Sequence, residues 1–257
     1  MNRFVKSMIV SVTAFMVISV RNDAAAKKKT EVMVAAAANL SEIFKEIARI
    51  YEKETNVKVN LVFSSSGNLS KQIENGAPFD VFAAANEKFV DDLVKKGYIL
   101  PDSRKLYAVG RTVLAVKKGT KFKINNLNDL TDPQIKKISI AQPEIAPYGQ
   151  AAKEALYASG LWDKISDKMV YSSDIQNSLT LIMSGNAEAG FISLSIADPS
   201  KVDFIVIDQK LHKPLKQAVG AIKTAKNINE AYEFIKFLKS KKCRKLFEKY
   251  GFYVPEE

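Results

Sequence analysis

Cysteine and histidine each occur only once in the 257 residues, as Cys243 and His212. A single cysteine excludes a disulfide within the chain and a metal site built from several cysteines. A single histidine excludes a histidine-cluster metal site in the same way. Lysines and an arginine surround Cys243, which is predicted to be a half-buried helix residue, and His212 is predicted to lie in a solvated loop. The sequence therefore predicts no metal held directly by side chains.

The common catalytic and nucleotide-binding motifs are also missing. The chain contains no G-x-S-x-G elbow, no Walker A loop, no G-x-G-x-x-G and no H-E-x-x-H. These absences predict no cofactor, no catalytic residues and no enzymatic activity. One remote alternative stays open, an exported hydrolase that uses Ser66 or another serine as its nucleophile. No histidine lies near a serine motif in the sequence, which counts against that alternative.

No apolar run is long enough to span a bilayer. Ser7 to Val20 carries no charge, but a membrane-spanning helix needs about 20 apolar residues. Arg3 and Lys6 precede this run, and Ala24-Ala25-Ala26 follows it. A basic start, a short apolar centre and small residues at the end are typical of a secretory signal. We expect residues 1–26 to be a signal peptide that is cleaved near Ala26 and exports the chain to a bacterial periplasm.

Acidic residues are fewer than basic ones, 28 against 39, which gives a net charge of +11. The lysines are spread over most predicted helices and concentrate between Lys236 and Lys249. Their spacing there leaves apolar positions for the core, which is typical of solvated helix faces rather than of a stripe that binds nucleic acid. The sequence therefore predicts no nucleic-acid partner.

Strand and helix patterns alternate along the rest of the chain. Strands are predicted at 31–38, 57–63, 81–83, 113–116, 138–141, 169–171, 190–192, 204–207 and 218–222. Helices are predicted at 41–54, 69–76, 89–97, 148–159 and 175–184, with two more near the C-terminus. This alternation predicts α/β sheets with helices on both faces. The two successive sets of elements predict two lobes.

Four junctions end a predicted strand and open a predicted helix with small or hydroxyl-bearing residues. They are Ala36-Ala37-Ala38-Asn39-Leu40-Ser41, Ser64-Ser65-Ser66-Gly67-Asn68-Leu69, Pro147-Tyr148-Gly149 and Ser173-Asp174-Ile175-Gln176. Each one alone is explained by an ordinary helix cap. Together, however, four helix N-termini would supply a shell of neutral N–H donors suited to an oxyanion. None of the four contains a lysine or arginine, so such a site would bury no fixed positive charge.

Five stretches carry a resemblance to a known family. They are VAAAANLSEIF, FSSSGNLSKQIENGAPFDVFAAANEKFVDDLVKKG, AQPEIAPYGQAAKEAL, SDIQNSLTLIMSGNAEAGFIS and FEKYGF. With them, the chain after the signal resembles the periplasmic molybdate-binding proteins of ABC transporters along nearly its whole length. The serine cluster followed by KQIENGAPFDVFAAAN is the most specific of these stretches.

The resemblance implies a type II periplasmic binding protein fold. Each of its two α/β lobes is a mixed sheet flanked by helices, and two crossing strands join them. We assign 27–109 and 214–257 to lobe I, and 110–213 to lobe II. The resemblance also implies a monomer that holds molybdate or tungstate between its lobes and delivers it to the membrane permease of an ABC transporter.

Carried over by position, the resemblance implies that Asn39 and Ser66 bind the anion from lobe I. It implies that Tyr148 and Ile175 bind it from lobe II, mainly through backbone N–H groups, so that the metal is reached only through the oxygens of molybdate. A tyrosine stands at the fifth position in some relatives, and the shorter Ser193 stands there in this chain. A second reading stays open, a binding protein for another oxyanion such as sulfate or thiosulfate.

Overall fold

The computed structural model describes residues 30–255. The predicted signal peptide, 1–26, lies outside the described residues. Within 30–255, no helix is long and apolar enough to cross a membrane. In the same range, histidine, cysteine, aspartate and glutamate side chains form no group of three or more that could hold a metal ion.

Residues 30–255 form ten strands and eight α-helices. The strands are β1 (Glu31–Ala37), β2 (Lys58–Ser64), β3 (Val81–Ala84), β4 (Lys105–Gly110), β5 (Thr112–Lys117), β6 (Ile138–Ala141), β7 (Met169–Ser172), β8 (Ala189–Ser193), β9 (Val202–Val206) and β10 (Leu215–Ala221). The helices are α1 (Ser41–Thr55), α2 (Ser66–Glu74), α3 (Glu87–Lys95), α4 (Pro147–Ala158), α5 (Trp162–Ile165), α6 (Ile175–Ser184), α7 (Ile228–Leu238) and α8 (Lys241–Lys249).

The strands of this part of the chain build two mixed sheets of five strands each. The first has the order β2-β1-β3-β10-β4, and the second has the order β7-β6-β8-β5-β9. In the first sheet β1 is parallel to β2 and β3, whereas β10 is antiparallel to β3 and β4. The second sheet repeats this plan, with β6 parallel to β7 and β8 and β5 antiparallel to β8 and β9. The predicted α/β fold with two mixed sheets is confirmed.

The helices pack one apolar face on these sheets. In α1 the side chains of Ile43, Phe44 and Ile47 are fully buried, at the i, i+1 and i+4 spacing of one helix face. Asn56, in the left-handed conformation at φ 61°, ends that helix, a backbone position that asparagine tolerates better than most residues. The other face of α1 is charged, as the sequence pattern predicts.

Two connections join the sheets. Arg111 links β4 to β5, and residues 207–214 link β9 to β10. The chain thus leaves the first sheet once and returns to it once. The division into 27–109 with 214–257 and 110–213 concerns which parts move together, and it stays a prediction.

The hydrophobic pattern predicts no strand where β4 lies. This strand is at the edge of the first sheet, where it pairs with β10 from more than a hundred residues further along the chain. The register between the two strands shifts at Gln217/Ala218, so that Tyr107 has no direct partner in the ladder. A bulge of this kind redirects side chains out of the regular alternation, and it becomes important at the site below.

Cys243 is completely buried in α8, not half-buried as predicted. Burial raises the pKa of its thiol to about 11, and the hydrogen bond with Ser240 and the charge of Lys242 only partly oppose this effect. Because the thiolate is the reactive form, only roughly one molecule in a thousand would be reactive at pH 8. We expect an aromatic disulfide reagent at pH 8 to modify the native protein at least about 100-fold more slowly than the urea-unfolded protein. Equal rates would contradict this burial.

His212 is also buried, at 8% exposure, rather than solvated as predicted. Its Nδ1 lies 2.8 Å from the carbonyl oxygen of Lys213. Its Nε2 has no hydrogen-bond partner among the described residues. The side chain therefore belongs to the packing of the connection between β9 and β10, and it is not among the residues that line the cavity described next.

Candidate functional site

The four junctions meet at one small cavity between the two sheets. Its volume is about 10 Å³, and it is lined by Ala37, Ala38, Asn39, Ser65, Ser66, Ala85, Ala146, Pro147, Tyr148, Asp174 and Ile175. Sites for drug-sized organic ligands are much larger, roughly 300–1,000 Å³. A cavity this small excludes a drug-sized ligand and leaves room for only a few atoms.

Small side chains bring the first junction close to the cavity. β1 ends in the alanine run 35–37, and a single 3-10 turn, Ala38–Leu40, follows before α1. No side chain caps either this turn or α1. The first N–H groups of a helix have no partner within it, so this segment keeps donors available beside Asn39, which is 1% exposed.

Ser65 and Ser66 have different hydrogen-bonding roles at the start of α2. Ser65, not Ser66, is the N-cap, because its side chain accepts the N–H of Asn68 at 3.3 Å. Ser66 Oγ instead accepts the N–H of Ala85 at 3.0 Å. This bond occupies an acceptor position of Ser66 and leaves its O–H proton free to donate. Ser66 is fully buried and lines the cavity, so this proton is well placed for an anion.

The third junction begins α4 with Pro147, which has no N–H to leave unpaired. No side chain caps this helix, so the N–H of Tyr148 stays available. Gly149 allows the close packing, because a Cβ at that position would lie 1.8 Å from the carbonyl oxygen of Ala141 in β6. The helix N-terminus is thereby held directly against the end of a strand.

The fourth junction carries the only charged side chain among the lining residues, Asp174. Its Oδ1 accepts the N–H groups of Gln176 and Asn177, at 2.9 and 3.0 Å. Its Oδ2 accepts hydrogen bonds from the side chains of Ser173 and Asn177. Asp174 therefore serves as the N-cap of α6 with both oxygens engaged, and the first N–H of that helix, on Ile175, remains for a ligand.

Ser193 stands apart from the other four predicted residues. It ends β8, fully buried, and is not among the residues that line the cavity. Its Oγ lies 3.0 Å from Ser195 Oγ, and Ser195 donates to the carbonyl oxygen of Asn39 at 2.7 Å. Ser193 is thus placed to act on the turn at Asn39 through Ser195 rather than by touching a ligand.

The two sides of the cavity are in direct contact. Gly67 N–H donates to the carbonyl oxygen of Ile145 at 2.9 Å. A Cβ on Gly67 would lie 2.8 Å from both Cα and Cβ of Ile145. Ser41 Oγ also donates to Gln176 at 3.3 Å. These contacts link elements of the first sheet to elements of the second, so the structure is the closed arrangement of the two sides.

A buried polar network that sequence reasoning missed lies behind the cavity. Gln217 Nε2 donates to Tyr148 Oη at 3.0 Å, and Asn39 Nδ2 donates to Gln217 Oε1 at 3.1 Å and to Tyr148 Oη at 3.3 Å. Tyr107 Oη donates toward Gln217 Oε1 at 3.1 Å and toward Ala84 O at 3.2 Å. All four side chains are at most 3% exposed. Burial raises the pKa of Tyr107 and of Tyr148, so both phenols stay neutral.

The chemistry of the lining residues suits a small anion. None of them is a lysine, arginine or histidine. The partial positive charge comes instead from helix N-termini, which bind oxyanions without a fixed countercharge. Within residues 30–255, Ser66 Oγ donates to no side chain that could act as a base, which a serine nucleophile would need.

A family model described as bacterial extracellular solute-binding protein matches residues 32–253. The chain belongs to this family. Among relatives of this solute-binding protein, the Bacillus subtilis protein YvgL is 34% identical over 251 residues, which is 95% of this chain and 96% of YvgL, and its name describes an ABC transporter substrate-binding lipoprotein. The molybdate-binding protein ModA of Azotobacter vinelandii is 34% identical over 234 residues, 89% of this chain and 92% of ModA.

Solved structures agree with this assignment. A periplasmic molybdate-binding protein of Azotobacter vinelandii superposes with a TM-score of 0.82 at 29% identity, covering 88% of this solute-binding protein and 100% of that chain. The shared fold extends over both sheets, and the cavity lies between them. The two-lobed periplasmic binding protein fold is thereby confirmed.

Proposed function

We propose that this solute-binding protein captures molybdate, and tungstate with it, outside the cytoplasm and delivers it to the permease of an ABC transporter. The observation that carries this proposal is the convergence of the N-termini of α2, α4 and α6 and of the 3-10 turn at Asn39 on a cavity of about 10 Å³ without a lysine, arginine or histidine. Such a shell offers donors from all sides to a compact, doubly negative tetrahedral anion. The names of the relatives support the choice of molybdate within that class.

Asn39, Ser66, Tyr148 and Ile175 are the proposed ligands of the anion. Ser66 would donate its O–H and N–H, while Tyr148 and Ile175 would donate their N–H groups from α4 and α6. Ser193 would support Asn39 through Ser195. No residue would bind the metal atom directly, because the anion presents only its oxygens. The protein would need no cofactor and would act as a binding protein, not an enzyme.

Export and partners follow from the same proposal. Residues 1–26 would direct the chain across the membrane, and the released protein would act as a monomer in the periplasm. The basic excess over the whole chain would give anions a modest long-range attraction. The ligand-bound form, with Gly67 against Ile145, would be the form that the permease receives.

Thermal unfolding with a panel of anions tests the proposal. A ligand at about 1,000 times its Kd stabilises the native state by about 4 kcal/mol, which raises the Tm of a chain of this size by roughly 8–16 °C. We expect this shift with molybdate and tungstate. If sulfate raised the Tm as much as molybdate does, the hypothesis of a binding protein for another oxyanion, such as sulfate, would be favoured instead. Turnover of a simple ester without any shift would favour the hydrolase.

A further inference from the structure

Two groups in the network behind the cavity lack a complementary partner. Asn39 Oδ1 is buried and accepts no hydrogen bond from any group in residues 30–255. Tyr148 Oη receives N–H bonds from Asn39 and Gln217, so its own proton has no acceptor within the network. A buried polar group left unpaired is costly. The Asn39 oxygen lacks a donor, and the Tyr148 proton lacks an acceptor. The arrangement is therefore incomplete in a way that a ligand can correct.

A half-turn of both amides gives the Tyr148 proton an acceptor without moving any other heavy atom, at the loss of the bond between Asn39 and Tyr148. The unpaired Asn39 oxygen is then replaced by an unpaired N–H, which an anion can accept. The oxygen and nitrogen of an amide occupy nearly the same space, so only hydrogen bonds decide the orientation. With both amides turned, Gln217 Oε1 takes the place of Nε2, 3.0 Å from Tyr148 Oη, and accepts the Tyr148 proton. Gln217 Nε2 takes the place of Oε1 and donates to Tyr107 Oη and to Asn39 Oδ1, each 3.1 Å away. The Tyr107 proton keeps its acceptor, the carbonyl oxygen of Ala84.

The half-turn also changes what Asn39 presents to the cavity. The Nδ2 of Asn39 faces Gln217 and Tyr148, so its unpaired Oδ1 is on the opposite side of the amide, and Asn39 lines the cavity. After the half-turn, this free position holds an N–H₂ donor instead of an acceptor. An anion without protons needs a donor there, and an amide oxygen would repel it.

We propose that Gln217 is the positioning residue that turns the Asn39 amide nitrogen toward the bound anion and thereby selects fully deprotonated oxyanions. The inference rests on the proposed function of the cavity. Gln217 reaches this place because the register shift between β4 and β10 occurs at this residue. Gly110 leaves space for the side chains of Tyr148 and Gln217, since a Cβ there would lie 2.1 Å from Tyr148 Oη and 2.6 Å from Gln217 Nε2.

The orientation of Asn39 decides between anions that carry protons and anions that do not. Phosphate keeps at least one proton near neutral pH, and that proton needs an acceptor. Asp174 does not supply it, because each of its two oxygens already accepts two hydrogen bonds. An Asn39 oxygen facing the cavity would supply it. Gln217 removes this option by holding that oxygen on its own amide nitrogen.

The variant Gln217→Met tests this role because it keeps the length of the side chain and removes both hydrogen-bonding groups. Asn39 is then free to present either end of its amide. We expect molybdate affinity to fall about 10- to 100-fold, phosphate affinity to change less, and the ratio of the two affinities to narrow. The control is Ser103→Ala, which removes a buried hydroxyl bonded to Ala221 at the end of the same strand and should leave that ratio unchanged.

Side-chain amide NMR on the wild-type protein supplies a second measurement that needs no variant. In the molybdate complex, we expect close contacts between the Gln217 amide protons and the Tyr107 ring, and none between the Asn39 amide protons and the Tyr148 ring. The opposite pattern of contacts, together with an unchanged anion ratio in Gln217→Met, would overturn the role of Gln217 alone. A wild-type protein that binds no tetrahedral oxyanion would overturn the proposed function, and this inference with it.

Discussion

Replacing Gly67 by alanine is expected to abolish tight anion binding while leaving the protein folded. The new Cβ would lie 2.8 Å from Cα of Ile145, which is backbone that cannot swing aside. Overpacking of this kind costs about 1–3 kcal/mol, and the hydrogen bond from Gly67 to Ile145 would be lengthened or lost at about 0.5–1.5 kcal/mol. Both costs fall on the closed form, so molybdate affinity should drop roughly 10- to 1,000-fold.

Calorimetry with molybdate measures this loss, and small-angle scattering shows its cause. The wild-type protein should become more compact when it binds, as expected for closure of two lobes around a ligand, whereas Gly67→Ala should stay expanded. The matched control is Asn68→Ala on the same turn of α2, where the side chain is only partly buried and does not line the cavity. Wild-type affinity in Gly67→Ala would show that the contact with Ile145 does not limit closure.

Ser66→Ala is expected to produce the second large loss of affinity. The substitution removes a hydroxyl donor next to a charged ligand, and such hydrogen bonds contribute about 1.5–3 kcal/mol, or roughly 10- to 150-fold in affinity. It also leaves the N–H of Ala85 without its acceptor. The free energy of unfolding of the anion-free protein should therefore fall as well, by about 1–3 kcal/mol.

Ser70→Ala is the control for this loss, because it makes the same chemical change one turn later on α2. Ser70 is buried at 8% exposure and does not line the cavity. Calorimetry should give Ser70→Ala the affinity of the wild-type protein within about twofold. If Ser66→Ala bound molybdate as well as Ser70→Ala, Ser66 would not be a ligand.

The sequence predicted the features that depend on local pattern. Alternating strands and helices, and the break between two sets of elements, correspond to the two mixed sheets. The four junctions were visible because capping residues and small side chains mark the start of a helix wherever it lies. That they meet at one cavity depended on the family resemblance, since no local pattern brings Ser66 and Ile175 together.

Contacts between distant segments were not visible in the sequence. The strand β4 was missed because its partner is β10 and its alternation is interrupted at Tyr107. Gln217 was missed for the same reason, since one glutamine in an apolar strand gives no signal without the register shift. The close approach of Gly67 to Ile145 joins opposite sides of the cavity, and the serine cluster alone could not distinguish the cap at Ser65 from the donor at Ser66.

Competition calorimetry with molybdate and sulfate tests the central claim most directly, that neutral donors around this small cavity recognise a large, unprotonated tetrahedral oxyanion. Sulfate has the right charge but is smaller, so it would leave at least one donor without a partner, at about 1.5–3 kcal/mol for each lost bond to the anion. We predict one molybdate bound per chain, tungstate bound with similar affinity, and displacement of molybdate only by at least about 10-fold more sulfate. Displacement by sulfate at comparable concentration would contradict the account.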